Sequence, residues 1–227
     1  MLVSPIEKLN DFFAKFKQIV YKKGEIIIRE DEEPAGVYFL KVGFVKMGAI
    51  FVNGGELTLN IFKPGSFFPM MWAIGETKNS YFCQAMSEVK VYRAPKADVI
   101  KFVKENSDVL YDLTRRILVG MDGMITNVQF LLFGSSYNRI AAAILLLAKR
   151  FGEKTTNGPV VISLNLIHQD IAQLSGVTRE TASIALKQLE KRGVISHLKK
   201  RFVVNNINKL TEEIFVTGNE LEIPLTI

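Results

Sequence analysis

Arg179, Glu180 and Ser183 stand within five residues of one another near the start of a stretch whose apolar residues recur at helical spacing. Their chemistry suits the edges of nucleic-acid bases. An arginine forks onto guanine O6 and N7, a glutamate accepts from cytosine N4, and a serine hydroxyl serves either as donor or as acceptor. Thr178 and Thr181 carry hydroxyls suited to phosphate oxygens. Some twenty residues on, Lys199, Lys200 and Arg201 form a basic run of the kind that lies beside a phosphate backbone. On an ordinary surface the same residues would be a solvated helix start and a charged turn, so the elements that carry them decide the matter.

Those elements are legible over residues 166–204. Ile167, Ile171 and Leu174 recur at helical spacing, with small Ala172 where a second helix could approach. Gly176 suits the left-handed residue that ends a helix. Thr178 then offers a hydroxyl cap for a new helix, Glu180 falls in its first turn, and Ala182, Ala185, Leu186 and Leu189 form its inward stripe. The result is a helix-turn-helix, whose second helix presents its N-terminal residues to a major groove. Residues 194–196 and 202–204 read as strands flanking a basic tip at 197–201, a wing.

The chain has 227 residues and a net charge of +6. That length fits one large or two ordinary domains. Hydrophobic residues at 48% and charged residues at 23% fit a folded protein with a substantial core. Residues 165–204 carry seven lysines and arginines against three acidic residues, which concentrates the positive charge on the helix-turn-helix. The single cysteine, Cys83, excludes an internal disulfide and any cysteine-only metal cluster within one subunit. No apolar run is long enough to span a membrane, and the charged amphipathic N-terminus does not read as a signal peptide, so a cytoplasmic location with no membrane partner is expected. No nucleophile with a paired base, metal-spaced histidines or phosphate-cradling glycine loop is present, which argues against an enzyme.

The first half has a different period. Residues 2–20 read as an amphipathic helix carrying Ile6, Leu9, Phe12, Phe13, Phe16 and Ile19. Strands are expected at 25–29, 37–42, 44–50, 57–62, 81–85 and 89–93, separated by turns at Gly24, Gly43, Asn53-Gly54-Gly55 and Pro64-Gly65. Many short strands at close spacing imply a small antiparallel barrel or roll. A helix follows at 96–104, and a much longer one at 107–133. The long helix has two apolar seams: Thr114, Leu118, Met121, Ile125, Val128 and Leu132, and Leu110, Leu113, Ile117, Met124 and Leu131. Packing one seam on the barrel and the other on a second copy gives a symmetric homodimer. Gly120 and Gly123 soften that helix or permit close backbone approach. Residues 134–136 form a hinge and 137–151 another helix, so the domains are 1–106, 107–136 and 137–227.

This order of parts resembles the cyclic AMP receptor protein/FNR superfamily of bacterial transcription regulators over residues 23–204. The segments that carry the resemblance are KKGEIIIREDEEPAGVYFLKVGFVK, KPGSFF and HQDIAQLSGVTRETASIALKQLEKRGVI. Arg179, Glu180 and Thr181 match the family's Arg-Glu-Thr, whereas Ile184 stands where members commonly place a second base-contacting arginine. The resemblance implies an α+β chain: an N-terminal antiparallel β-roll of the cyclic-nucleotide-binding kind, a long dimerisation helix and a C-terminal winged helix-turn-helix. It also implies a homodimer on a pseudo-palindromic operator in double-stranded DNA, with RNA polymerase as a further partner.

The sensor departs from the pattern. Where nucleotide-binding members carry a ribose-holding glutamate and a phosphate-holding arginine, this chain has Met70 and Asn79. A cyclic phosphate would lose its charge-assisted partner, which argues against cyclic AMP. Two readings of the barrel stand. Phe67, Phe68, Met70, Met71, Trp72 and Cys83 could line a pocket for an apolar effector such as haem, with Met70, Met71 or Cys83 as axial ligand, both histidines lying in the other half. Alternatively these side chains fill the barrel and the regulator has no effector. A ligand-sensing module acting on a protein partner is a further alternative, against which the Arg179-Glu180 helix and the basic wing argue.

Overall fold

A computed structural model describes residues 4–52, 54–155 and 158–215. Asn53, expected in a hairpin turn, and residues 2 and 3 of the expected first helix lie outside them. The chain divides into two compact units, with the boundary at residues 118/119 inside its longest helix.

The first unit begins with α1 (Pro5–Phe13), which Ser4 and Glu7 cap reciprocally: Glu7 N donates to Ser4 Oγ (3.3 Å) and Ser4 N to Glu7 Oε2 (2.8 Å). The helix stops there. Residues 17–20, expected as its continuation, belong instead to strand β1 (Lys17–Tyr21), paired antiparallel with β8. The apolar residues after Phe13 suit both periods, and pairing of Ile19 with Val91 decides between them.

The roll follows as β2 (Ile26–Ile28), β3 (Val37–Val42), β4 (Val45–Ile50), β5 (Glu56–Phe62), β6 (Phe67–Phe68), a short α2 (Met70–Ala73), β7 (Phe82–Ala85) and β8 (Val89–Ala94). They form two antiparallel sheets, β1-β8-β3-β6 and β2-β7-β4-β5. Successive strand side chains point to opposite faces, and β3 uses both. Tyr38 and Leu40 join Val45, Met47, Phe68, Cys83 and Val91 in the core between the sheets. Val37 and Phe39 face the other way, against Leu9 and Phe13 of α1, Val99 and Val103 of α3 (Lys96–Glu105), and Val109 and Leu113 of α4 (Ser107–Phe133). Phe13 stacks on Phe39 at 5.0 Å.

The expected double covering of α4 is only partly met. In the second seam Leu113 is buried, whereas Leu110, Ile117 and Met124 are exposed. Asp112 pairs with Arg116 (2.7 Å), and Arg116 Nη1 donates to the carbonyl of Gly65 (3.0 Å), so polar contacts share the roll-facing side with Val109 and Leu113. Apart from the helix's own backbone, no other part of the described residues approaches Gly120 or Gly123 closely.

The second unit holds α5 (Ser136–Phe151), β9 (Gly152–Lys154), β10 (Val160–Ile162), α6 (His168–Ser175), α7 (Arg179–Lys191), β11 (Ile195–Leu198), β12 (Arg201–Val204) and α8 (Ile207–Phe215). Its sheet runs β11-β12-β10-β9. The break before α5 is pinned: Gly134 N donates to Phe130 O (2.9 Å), Arg139 Nε to Gly134 O (3.1 Å), and Ser135 Oγ accepts from Asn138 N (3.3 Å). Among the described residues, no helix is long and apolar enough to cross a membrane.

Candidate functional site

The turn between α6 and α7 is built as the residue types require. Gly176 takes the left-handed conformation at φ 60°, ψ 41°, and Val177 N donates back to Ala172 O (3.1 Å). Thr178 caps α7 by accepting from Thr181 N (3.2 Å), and the two threonine hydroxyls lie 3.0 Å apart. Ala182, Ala185, Leu186 and Leu189 are buried beneath. Ile167, expected inside the first helix, is its exposed N-cap.

On the outer side of α7, Arg179 and Glu180 are exposed. Ser183 is half-buried and already engaged: its Oγ donates to Arg179 O (2.9 Å) and lies 2.8 Å from His168 Nδ1. With the hydroxyl hydrogen committed to that carbonyl, the imidazole Nδ1–H is the donor to Ser183. Of the three residues picked as base readers, two therefore have free polar groups, and the third braces α6 against α7.

The wing is a hairpin, as expected, but its strands run further and its tip is shorter than residues 197–201. Leu198 pairs with Arg201, leaving Lys199 and Lys200 as a two-residue turn with Lys199 at φ 58°. Lys199, Lys200 and Arg201 are all exposed. Behind them His197 Nδ1 meets Glu190 Oε1 of α7 at 2.7 Å, and the ring packs on Phe202 at 4.4 Å. The far end of α7 is tied as well. Arg192 pairs with Glu213 of α8, which also accepts from Tyr137 Oη (2.8 Å). Burial, then this carboxylate, pushes the Tyr137 hydroxyl up to about 12. Sequence reading missed His168, His197 and Glu213 as braces, because partners 15, 7 and 76 residues distant leave no local pattern.

The sensor segment does not gather into one place. Phe68 and Cys83 belong to the core between the sheets, where Phe68 stacks on Phe62 (4.8 Å) and lies by Tyr38 (5.9 Å). Phe67, Met70 and Trp72 pack on the opposite side, with the helices. Met71 is 50% exposed. The strand period separates Phe67 from Phe68, and the turn of α2 separates Met71 from its neighbours. The six residues thus do not line a single pocket, which corrects that expectation. Burial pushes the Cys83 thiol up. Among the described residues, no group of three or more His, Cys, Asp and Glu could hold a metal ion.

Comparison with known proteins places both halves. A model of the cyclic nucleotide-binding domain matches residues 18–106, and one of the Crp-like helix-turn-helix domain matches residues 138–213. A global nitrogen regulator of Nostoc sp. is 27% identical over 191 residues, covering 82% of this chain and 83% of its own. A CRP-like cAMP-activated global transcriptional regulator of Mycobacterium tuberculosis is 24% identical, covering 86% and 87%. Among solved structures, a CooA mutant from Carboxydothermus hydrogenoformans shares the fold with a TM-score of 0.77 at 22% identity, over 93% of this chain and 96% of its own. The chain belongs to the Crp/Fnr family. It is a transcription regulator with a DNA-binding helix-turn-helix, not an enzyme.

Within that family the fate of Asn79 is informative. It is buried, its Nδ2 donates to Arg29 O (2.7 Å) and Glu32 O (3.4 Å), and its backbone carbonyl accepts from Asp31 N (2.9 Å), while among the described residues its side-chain Oδ1 has no hydrogen-bond partner. The residue standing where the resemblance puts a phosphate-holding arginine is a staple for the loop between β2 and β3. Met70, in the glutamate's place, packs with the helix-side core.

Proposed function

We propose that the chain acts as a homodimer on a pseudo-palindromic DNA operator, with one α7 in the major groove of each half-site and centres about 10 bp apart. The observation that carries this reading is α7 itself: capped by Thr178, braced at both ends, and presenting exposed Arg179 and Glu180 beside a basic wing. Arg179 and Glu180 read base edges. Thr178, Thr181, Lys199, Lys200 and Arg201 hold phosphates.

Dimerisation is supported by α4, on which Leu118, Met121, Ile125, Val128 and Leu132 are all exposed, Leu132 at 70%. Such a stripe left in water is unfavourable, and a second copy of the same stripe removes it. The domains are then a sensor roll at 1–106, a dimerisation helix and hinge at 107–136, and a DNA-binding domain at 137–227, with RNA polymerase as the partner that converts binding into transcription.

The barrel functions without a cyclic nucleotide. Asn79 has no charge to offer a phosphate and its Nδ2 donors are spent on the backbone, while Met70 offers the ribose no hydrogen-bond acceptor of carboxylate strength. The stack of Phe62, Phe68 and Tyr38 favours a filled core over a haem or other apolar effector. Selection of duplexes from a random pool, followed by sedimentation of the complex, tests the reading. A two-fold symmetric motif and two chains per duplex are expected. A monomer on an asymmetric site, or no enrichment, would contradict it.

A further inference from the structure

The outward side of α7 carries a single large aliphatic side chain among charged and polar ones. Ile184 is 61% exposed, four residues beyond Glu180 and on the same side of the helix, opposite the buried Ala182, Ala185, Leu186 and Leu189. Around it Glu180, Lys187, Gln188 and Lys191 are exposed and polar. An isolated aliphatic group among charges is poorly suited to an apolar protein partner, which would have to bury those charges too. The edge of a DNA major groove is different. It offers phosphates to the charges and, at thymine, one apolar group, the C5 methyl.

We propose that Ile184 is a specificity-determining residue that packs on the C5 methyl of a thymine in each half-site. The inference rests on the reading that α7 enters the major groove, and it assigns that groove a base. An arginine in this position would select guanine through O6 and N7; an isoleucine has no donor for either atom and gains only from burying a methyl. Glu180, one turn earlier, contacts a neighbouring base pair.

The test is single-group deletion on the selected operator. Each thymine of a half-site is replaced in turn by deoxyuridine, which removes only the methyl, and affinity is measured for the wild type, Ile184→Ala and Ile184→Arg. One thymine per half-site should show about a fourfold loss for the wild type, the worth of one buried methyl. That sensitivity should vanish in Ile184→Ala, whose melting temperature should be unchanged because the side chain is exposed. Reselection with Ile184→Arg should move that position to guanine. A clear operator whose thymines are all indifferent to loss of the methyl, or an Ile184→Ala variant as sensitive as the wild type, overturns the assignment of Ile184 alone. Absence of any enriched operator overturns the groove reading and this inference with it.

Discussion

The DNA-reading unit and the sensor roll descend from one family plan but keep their chemistry in opposite places. In the reading unit the informative groups, Arg179, Glu180, Lys199, Lys200 and Arg201, are exposed on a scaffold braced by Thr178, His168, His197 and Glu213. In the roll the groups standing at the family's ligand positions have turned inward: Asn79 binds backbone carbonyls and Met70 joins a hydrophobic cluster. An exposed polar group that needs nothing from the protein is available to a partner. A buried one whose donors are taken up by its own fold, as the Asn79 Nδ2 is, serves structure.

That contrast can be broken at the dimer helix with the largest effect. Leu118→Glu with Ile125→Glu places charge in the exposed stripe of α4; the chain should sediment as a monomer and lose at least a hundredfold in operator affinity, since each half-site would be bound alone. Next comes the roll. Phe68→Ala should cost about 3–5 kcal/mol in denaturant unfolding, as for any filled aromatic core site, whereas Met71→Ala should stay within about 0.5 kcal/mol. In the same folded protein Cys83, buried and held as a thiol, should resist alkylating reagents until the roll unfolds; rapid labelling at neutral pH would reveal an open cavity instead.

In the reading unit the effects are smaller but selective. Arg179→Ala and Glu180→Ala should each relax preference at one base pair by about 1–3 kcal/mol, while Lys200→Ala should weaken all sequences alike and reduce the salt slope by about one. Binding measured against single-base operator variants at several salt concentrations separates the two classes. The smallest effect is alkaline. Tyr137 and Tyr81 are both pushed up to about 12, chiefly by burial, so the folded state keeps protons that the unfolded chain releases near its ordinary tyrosine range. Stability should therefore be fully retained below about pH 10 and decline as pH rises towards 12. Ultraviolet titration of tyrosinate should show Tyr137 and Tyr81 among the late-ionising groups, and replacing Glu213 with Gln should advance only the Tyr137 transition.

Much of this architecture can be read from residue order because it depends on local rules. Gly176, Thr178 and the Ala182–Leu189 stripe announce a turn and a helix, and Val37 to Val42 reads directly as a strand. Other parts are not local. The limits of α1 and β1 depend on whether Ile19 finds Val91, and the strands at 152–154 and 160–162 are too short to carry their own period. The choice between a pocket and a filled barrel is not local either: Phe67, Phe68, Met70, Met71, Trp72 and Cys83 look alike as soft apolar groups, and only the pleat and the turn of α2 show that they face three directions. Ser183 likewise looks free until His168, on the neighbouring helix, is seen to engage it.

The central claim, an intact reading unit coupled to a roll that has given up the nucleotide, is tested most directly by measuring affinity for the selected operator with and without cyclic AMP. The account predicts the same affinity and two chains per duplex in both conditions. Tightening of operator binding by micromolar cyclic AMP would contradict it.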